Sequence, residues 1–231
     1  MQPNIHDARV LDAFSVNKDF ILPNLLEALM YKLYWEAQSG AIAPQVMLEE
    51  LNIDYEKVPV DMAHDAHHSP DYLSLNPTGQ VPALGLPDGS VIGETAAIIL
   101  TIGERHRAYS LVPCGLNGER PSFLFWLMYM ATSGYMSFGR SNHPERHTTD
   151  QGALNPVRQA AEAHIERLFD TLENAIKGSP FFQPSGYSAL DIYLTMLTTW
   201  HRDKTALFER NPKTALLCST VENRPSYNQV M

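Results

Sequence analysis

The sequence predicts a small α/β domain followed by an all-helical domain. Between residues 30 and 105, segments with strand-type alternation and segments with helical periodicity follow one another in the order βαβαββα. Beyond residues 113–121, which are rich in turn formers, only helical periodicity remains. We therefore predict an α/β domain at residues 30–109 and an all-α domain at residues 119–231, and we treat residues 1–29 as an N-terminal extension.

The first strand, helix and strand of the α/β domain form one predicted unit. Residues 31–35 are a short aromatic run, and residues 43–51 carry apolar side chains at helical spacing, with Pro44 near the start. Residues 55–60 then alternate as a strand does. Because a helical crossover joins the two strands, we expect them to be parallel.

The second half of the α/β domain begins with a short predicted helix at residues 69–75. Two strands follow at residues 81–86 and 90–92, joined by the hairpin-type connection at residues 87–89. A helix at about residues 95–105 completes the domain.

Helical signals continue to the C-terminus. An apolar helix is predicted from Pro121, and residues 157–176 place apolar side chains on one helical face. Ser188 and Asp191 have the spacing of a capping box at the start of a further helix.

Composition argues against several classes of protein. The 17 Lys and Arg residues against 26 Asp and Glu residues give a net charge of −9, which does not suit a phosphate-backbone partner, so we expect no nucleic acid. No apolar run approaches the roughly 18 residues of a membrane span, so we expect no membrane partner. The apolar residues 20–30 are interrupted by Pro23, Asn24 and Glu27 and do not predict a signal peptide.

The cysteine pattern indicates a reducing compartment. Cys114 and Cys218 are the only cysteines, and they form neither a metal-type spacing nor a C-x-x-C redox pair. We therefore expect a cytoplasmic protein without a disulfide framework.

An ordered set of motifs resembles one known family. The motif YLSLNPTGQVPAL covers residues 72–84, and GETAAI follows at residues 93–98. With the Ser188 capping box and Asn223-Arg224-Pro225, this set resembles the soluble, cytosolic-type glutathione S-transferases. The stretch YWEAQSGA at residues 34–41 is most similar to bacterial theta- or beta-like members.

The resemblance covers about residues 30–231 and has consequences for fold and function. It implies a thioredoxin-like first domain, a helical second domain and a homodimer. It also implies glutathione as co-substrate, with its thiolate transferred to hydrophobic electrophiles. The alternative is a non-catalytic protein that binds glutathione or another ligand on the same scaffold. A thiol–disulfide oxidoreductase fits less well, because no cysteine lies near the first helix.

Four residues form the centre of the glutathione site that the resemblance implies. A cis bond between Val81 and Pro82 would present the Val81 backbone to the cysteinyl unit of glutathione. Glu94 and Thr95 open a predicted helix, whose free N–H groups favour a carboxylate, while the Glu94 side chain is suited to the ammonium group. The alternatives are an edge-strand proline at Pro82 and an ordinary helix cap at Glu94.

The glycine end of glutathione is assigned less directly. Gln80 can add an amide hydrogen bond, and His67 matches a theta-type position that holds the glycine carboxylate. An exposed loop histidine is the alternative for His67. His64 and His68 stand at i, i+4, as metal ligands on a helix do, but the pattern lacks supporting context and we expect no metal.

Activation of the thiol requires a group that stabilises the thiolate. A free thiol has a pKa near 8.5, and lowering it by about two units takes about 2.7 kcal/mol. Ser39, near the start of the first helix, is the predicted catalytic donor. The beta-class cysteine would fall at about Gly40 and the tyrosine of other classes near Trp35, and both are missing. The alternatives are a plain N-cap role for Ser39 and a backbone amide near Gly40 or Ala41.

Overall fold

The computed structural model describes residues 30–231, and the predicted N-terminal extension lies outside them. Up to residue 105 the elements follow the predicted order: β1 (Tyr31–Trp35), α1 (Ile42–Glu50), β2 (Tyr55–Pro59), α2 (Pro70–Leu75), β3 (Ala83–Gly85), β4 (Val91–Gly93) and α3 (Thr95–Arg105). Helices follow: α4 (Arg120–Tyr129), α5 (Met136–Asn142), α6 (Leu154–Ala175), α7 (Ala189–Thr198), α8 (Lys204–Arg210), α9 (Pro212–Glu222) and α10 (Pro225–Val230). The predicted fold class is therefore confirmed.

The four strands form one mixed sheet in the order β2-β1-β3-β4. Strand β1 pairs in parallel with β2, as expected for two strands joined by a helical crossover, and antiparallel with β3. The predicted strand at residues 81–86 is too long at both ends. Because Pro82 has no N–H to donate, the ladder of β3 begins only at Ala83. The predicted strand at residues 90–92 is shifted by one residue, since β4 begins at Val91.

A π-helical segment, Met130–Tyr135, connects α4 to α5 without a break in the helix. No pattern in the sequence predicts this segment. Its Gly134 packs closely on α7: a Cβ atom there would lie 3.0 Å from Leu197 Cδ1. The insertion thus brings the following residue, Tyr135, toward the sheet domain. Among residues 30–231, no helix combines the length and apolar character needed to cross a membrane.

The predicted capping box is present at the start of α7, and this helix is buried along its whole length. Ser188 N–H donates to Asp191 Oδ2 at 2.8 Å. The Phe182 N–H donates to the other carboxylate oxygen at 2.7 Å. Asp191 therefore joins the loop before α7 to the first turn of the helix.

A polar cluster around Glu50 joins α1 to the C-terminal helices. Arg224 contacts both carboxylate oxygens of Glu50, and Ser226 donates to Oε2 at 2.5 Å. Tyr187 donates to the same oxygen at 3.2 Å. Burial raises the pKa of Glu50, but the hydrogen bonds from Arg224 and Ser226 outweigh it and hold this pKa below its usual value.

We predict that Glu50→Gln destabilises the protein in a pH-dependent way. Because the pKa of Glu50 is lower in the folded state, its ionised form stabilises the fold above about pH 4.5, and this contribution is lost as the pH falls through the folded pKa. The expected loss at neutral pH is about 2 kcal/mol of unfolding free energy. Urea titrations at several pH values should show this difference shrinking below pH 5, roughly as the linkage relation requires.

The matched control is Glu209→Gln, which removes an exposed carboxylate from α8. We expect little change in stability for this variant. A loss in Glu50→Gln that is the same at every pH would contradict an electrostatic role for Glu50.

Candidate functional site

A cavity of about 560 Å³ lies between the sheet domain and the helices that follow it. Its wall combines residues before β3, at the start of α3, on the loop after β2 and on the helical region: Met62, His67, His68, Thr78, Gly79, Gln80, Val81, Pro82, Glu94, Thr95, Ala131, Tyr135, Met136, Gly139, Arg146, His147 and Tyr193. The structure therefore brings all six predicted glutathione-binding residues to one cavity.

The segment before β3 presents an unpaired backbone to this cavity. The Val81–Pro82 peptide bond is cis. Within residues 30–231, neither the N–H nor the carbonyl of Val81 has a hydrogen-bond partner. The preceding carbonyl, of Gln80, is held by Tyr72 Oη at 2.7 Å and Asn76 Nδ2 at 2.8 Å. Val81 thus keeps both groups available for a β-type pairing with an extended ligand.

Glu94 precedes α3 with an unusual backbone. Its φ of 64° lies in the left-handed region that non-glycine residues rarely adopt. The side chain is exposed and makes no capping hydrogen bond to its own helix. The next residue, Thr95, is buried, and its hydroxyl donates to the Gly40 carbonyl at 3.1 Å. A free carboxylate therefore stands beside the N–H groups at the start of a helix.

Three residues of the loop after β2 bring possible metal ligands together. The ligand atoms of Asp65, His67 and His68 lie within 4.8 Å of one another. His64 is not in this cluster, because its Nδ1 pairs with Asp61 at 2.7 Å. His64 and His68 therefore do not form a pair of metal ligands. Neighbouring loop residues of this kind do not by themselves assign a metal.

His67 is buried, in contrast to the exposed loop histidine considered as its alternative. Burial lowers the pKa of His67, and the neighbouring His68 acts in the same direction. In the described part of the chain, its Nδ1 has no hydrogen-bond partner. His67 therefore lines the cavity with a neutral imidazole that has one buried, unpaired nitrogen.

Ser39 is not among the cavity-lining residues. Its hydroxyl donates to the Glu36 carbonyl at 2.7 Å and accepts from the Ala41 N–H at 3.2 Å. The plain N-cap interpretation is wrong, since Ala41 is the N-cap and α1 begins at Ile42. The predicted contact of Ser39 with a thiolate stays a prediction, and it requires the hydroxyl to leave Glu36.

Two tyrosines that line the cavity are not among the site residues predicted from the sequence. Tyr135 comes from the π-helical segment and Tyr193 from the buried helix α7. Both belong to apolar stripes that are typical of a helical core, so no local signal separates them from core residues. Burial raises the pKa of both phenols, and the charge of Glu94 also raises the pKa of Tyr193.

Comparison with known proteins gives the family. The model of the glutathione S-transferase N-terminal domain matches residues 43–105. A glutathione S-transferase of Silene vulgaris is 44% identical over 195 residues, which are 80% of this chain and 89% of that protein. The chain belongs to the glutathione S-transferase family.

Members of the glutathione S-transferase family that resemble this chain differ in their named activities. The disulfide-bond oxidoreductase YfcG of Escherichia coli K12 is 23% identical over 209 residues, which are 87% of this chain and 94% of that protein. A glutathione transferase homologue from Sulfitobacter, solved with bound glutathione, has a TM-score of 0.81 and 24% identity, covering 87% of this chain and 97% of that one. This structural likeness supports the shared fold.

Proposed function

We propose that this glutathione S-transferase family member binds glutathione in the cavity and transfers its thiolate to hydrophobic electrophiles. The observation that carries the proposal is the free Val81 backbone in the same cavity as Glu94 and the first turn of α3. Glutathione is an extended zwitterion with two carboxylates, one ammonium group and one thiol. The cavity offers a complementary group for each polar part.

Each part of glutathione has a proposed partner. The N–H and carbonyl of Val81 pair with the cysteinyl unit, beside Pro82. The γ-glutamyl carboxylate lies at the start of α3, near the Thr95 N–H, and Glu94 accepts from the ammonium group. Gln80 and His67 contact the glycine end. All of these residues line the cavity.

The proposed reaction is a nucleophilic substitution or addition by sulfur. The thiol loses its proton to water, and the thiolate forms a carbon–sulfur bond with the electrophilic carbon. In a substitution, the leaving group departs with the electron pair of its bond to carbon. Ala131, Met136 and Tyr193 supply apolar surface on the helical side of the cavity, which suits a hydrophobic electrophile.

Calorimetry with glutathione, followed by turnover of an activated aryl halide, tests this proposal. We expect saturable binding of one glutathione per chain and a glutathione-dependent rate above the uncatalysed reaction. Binding without turnover of a panel of electrophiles would favour the alternative, a non-catalytic glutathione-binding protein. Absence of glutathione binding would overturn the proposed transferase function and leave only the binding of another ligand on the same scaffold.

A cysteine-based disulfide oxidoreductase is less well supported. Cys218 is fully buried, and burial raises the pKa of its thiol to about 12. Cys114 does not line the cavity. Reactive cysteines are exposed and have a lowered pKa, and Cys218 has neither property.

The remaining proposals concern assembly and context. We propose a homodimer, and the exposed apolar side chains of Phe125 and Met128 on α4 support it, because surface of this kind often packs against a partner.

We also propose the two-domain division at residues 30–109 and 119–231. A cytoplasmic location also stays a prediction, and the two unpaired cysteines support it.

A further inference from the structure

We propose that Tyr135, supplied by the helical region, is a catalytic residue that donates its phenolic hydrogen to the glutathione sulfur. The proposal rests on the function proposed above. It assigns to a residue of the helical region the role that was predicted for Ser39, near the start of α1.

The position of the Tyr135 hydroxyl is the first argument. A Cβ atom built on Gly40 would lie 2.8 Å from Tyr135 Oη and 2.6 Å from Thr95 Oγ1. The phenol therefore sits on the backbone directly before Ala41, the N-cap of α1. Helix α1 has nine residues, and the positive end of its dipole favours a negative charge near this point. The hydroxyl of Tyr135, which lines the cavity, thus lies close to the start of α1.

The Tyr135 ring is held in place by Trp200. The two rings meet edge to face, with centroids 4.9 Å apart. The indole N–H of Trp200 in turn donates to the Gln38 carbonyl at 2.7 Å. Tyr135 also terminates the π-helical segment, and π-bulges are frequent at functional sites because they redirect single side chains. The phenol is therefore pre-positioned before a ligand enters.

The protonation state of Tyr135 suits a donor. Burial raises its pKa, the backbone of Gly40 opposes this shift, and the charge of Glu94 adds to it. At neutral pH the phenol keeps its hydrogen. A neutral hydroxyl that donates to a thiolate forms a charge-assisted hydrogen bond and lowers the pKa of the thiol.

Ser39 is less well placed for the same role. Its hydrogen is directed to the Glu36 carbonyl, and the residue does not line the cavity. Tyr135 lines the cavity together with Val81, the proposed anchor of the cysteinyl unit. Among residues 30–231, the Tyr135 hydroxyl donates to no hydrogen-bond acceptor, and its hydrogen bond with the Gly40 backbone leaves the phenolic hydrogen available for the sulfur.

The test compares three variants: Tyr135→Phe, Ser39→Ala and Tyr129→Phe. Tyr129 lies on α4 outside the cavity and controls for loss of a tyrosine hydroxyl from the same helical stretch. For each protein we would titrate the bound thiol by its ultraviolet thiolate absorbance, and measure glutathione affinity by calorimetry. Turnover of an activated aryl halide would be followed as kcat/KM against pH.

For Tyr135→Phe we expect the pKa of the bound thiol to rise by at least about one unit and turnover near neutral pH to fall about 10- to 100-fold. Glutathione affinity measured at about pH 5.5, where the bound thiol is protonated in both proteins, should stay within about twofold, since Val81, Glu94 and Thr95 carry it. Tyr129→Phe should behave as wild type. An unchanged thiol pKa in Tyr135→Phe overturns the proposal, as does a shift confined to Ser39→Ala.

Fluorotyrosine at position 135 provides a second test that keeps the ring and its packing. A more acidic phenol is a stronger donor, so the pKa of the bound thiol should fall below that of wild type. No shift would count against Tyr135 even where the phenylalanine variant folds poorly. If wild type itself does not bind glutathione, the proposed function fails and the role of Tyr135 fails with it.

Discussion

Asp191→Ala is expected to lower the free energy of unfolding by about 3 to 5 kcal/mol. Asp191 is fully buried, and its carboxylate accepts from the Phe182 N–H, the Ser188 N–H and the Ser188 hydroxyl at 2.7, 2.8 and 3.1 Å. Alanine leaves two backbone donors buried without an acceptor, and each costs about 1 to 3 kcal/mol. Loss of the helix cap adds to this. Urea unfolding followed by circular dichroism measures the difference.

The control for Asp191 is Asp203→Ala at the start of α8. Asp203 is an exposed N-cap whose carboxylate accepts from the Ala206 N–H at 2.9 Å. Because water can solvate the freed N–H, we expect a loss of only about 1 kcal/mol. If both variants lose the same free energy, burial of the capping box does not contribute and our account of Asp191 is wrong.

Glu94→Ala is expected to weaken glutathione binding by about 2 to 5 kcal/mol, which is a large part of the binding free energy. The bound ammonium group would lose its anionic partner. Alanine keeps the Cβ atom, so the positive φ of residue 94 costs the same in both proteins and does not confuse the comparison. Isothermal calorimetry with glutathione measures the change directly.

Glu209→Ala is the matched control for Glu94. It removes one exposed carboxylate from α8 and lies outside the cavity lining, so the net charge changes equally in both variants. We expect its glutathione affinity to equal that of wild type. Unchanged affinity in Glu94→Ala would remove Glu94 from the site and weaken the whole placement of glutathione.

Local sequence signals predicted most elements of the fold. The capping box at Ser188 and Asp191 depends on side chains three residues apart, and the structure forms it as predicted. The predicted helix at about residues 95–105 matches α3, Thr95–Arg105. Strand ends were less predictable, because the ladder of β3 depends on which N–H groups find a partner across the sheet.

The sequence by itself determined the order of the elements, the parallel pairing of β1 with β2, and the motif that gathers Gln80, Val81 and Glu94 around one cavity. These features arise from periodicity, crossover geometry and short-range spacing. Only the tertiary structure decided that His67 is buried, that Ser39 turns to Glu36, and that Tyr135 rests on Gly40. The burial of His67 and the position of Tyr135 depend on packing between distant elements and, at Tyr135, on a π-helical turn, whereas the Ser39 hydrogen bond depends on the conformation of its own turn. No periodic pattern in the sequence encodes these features.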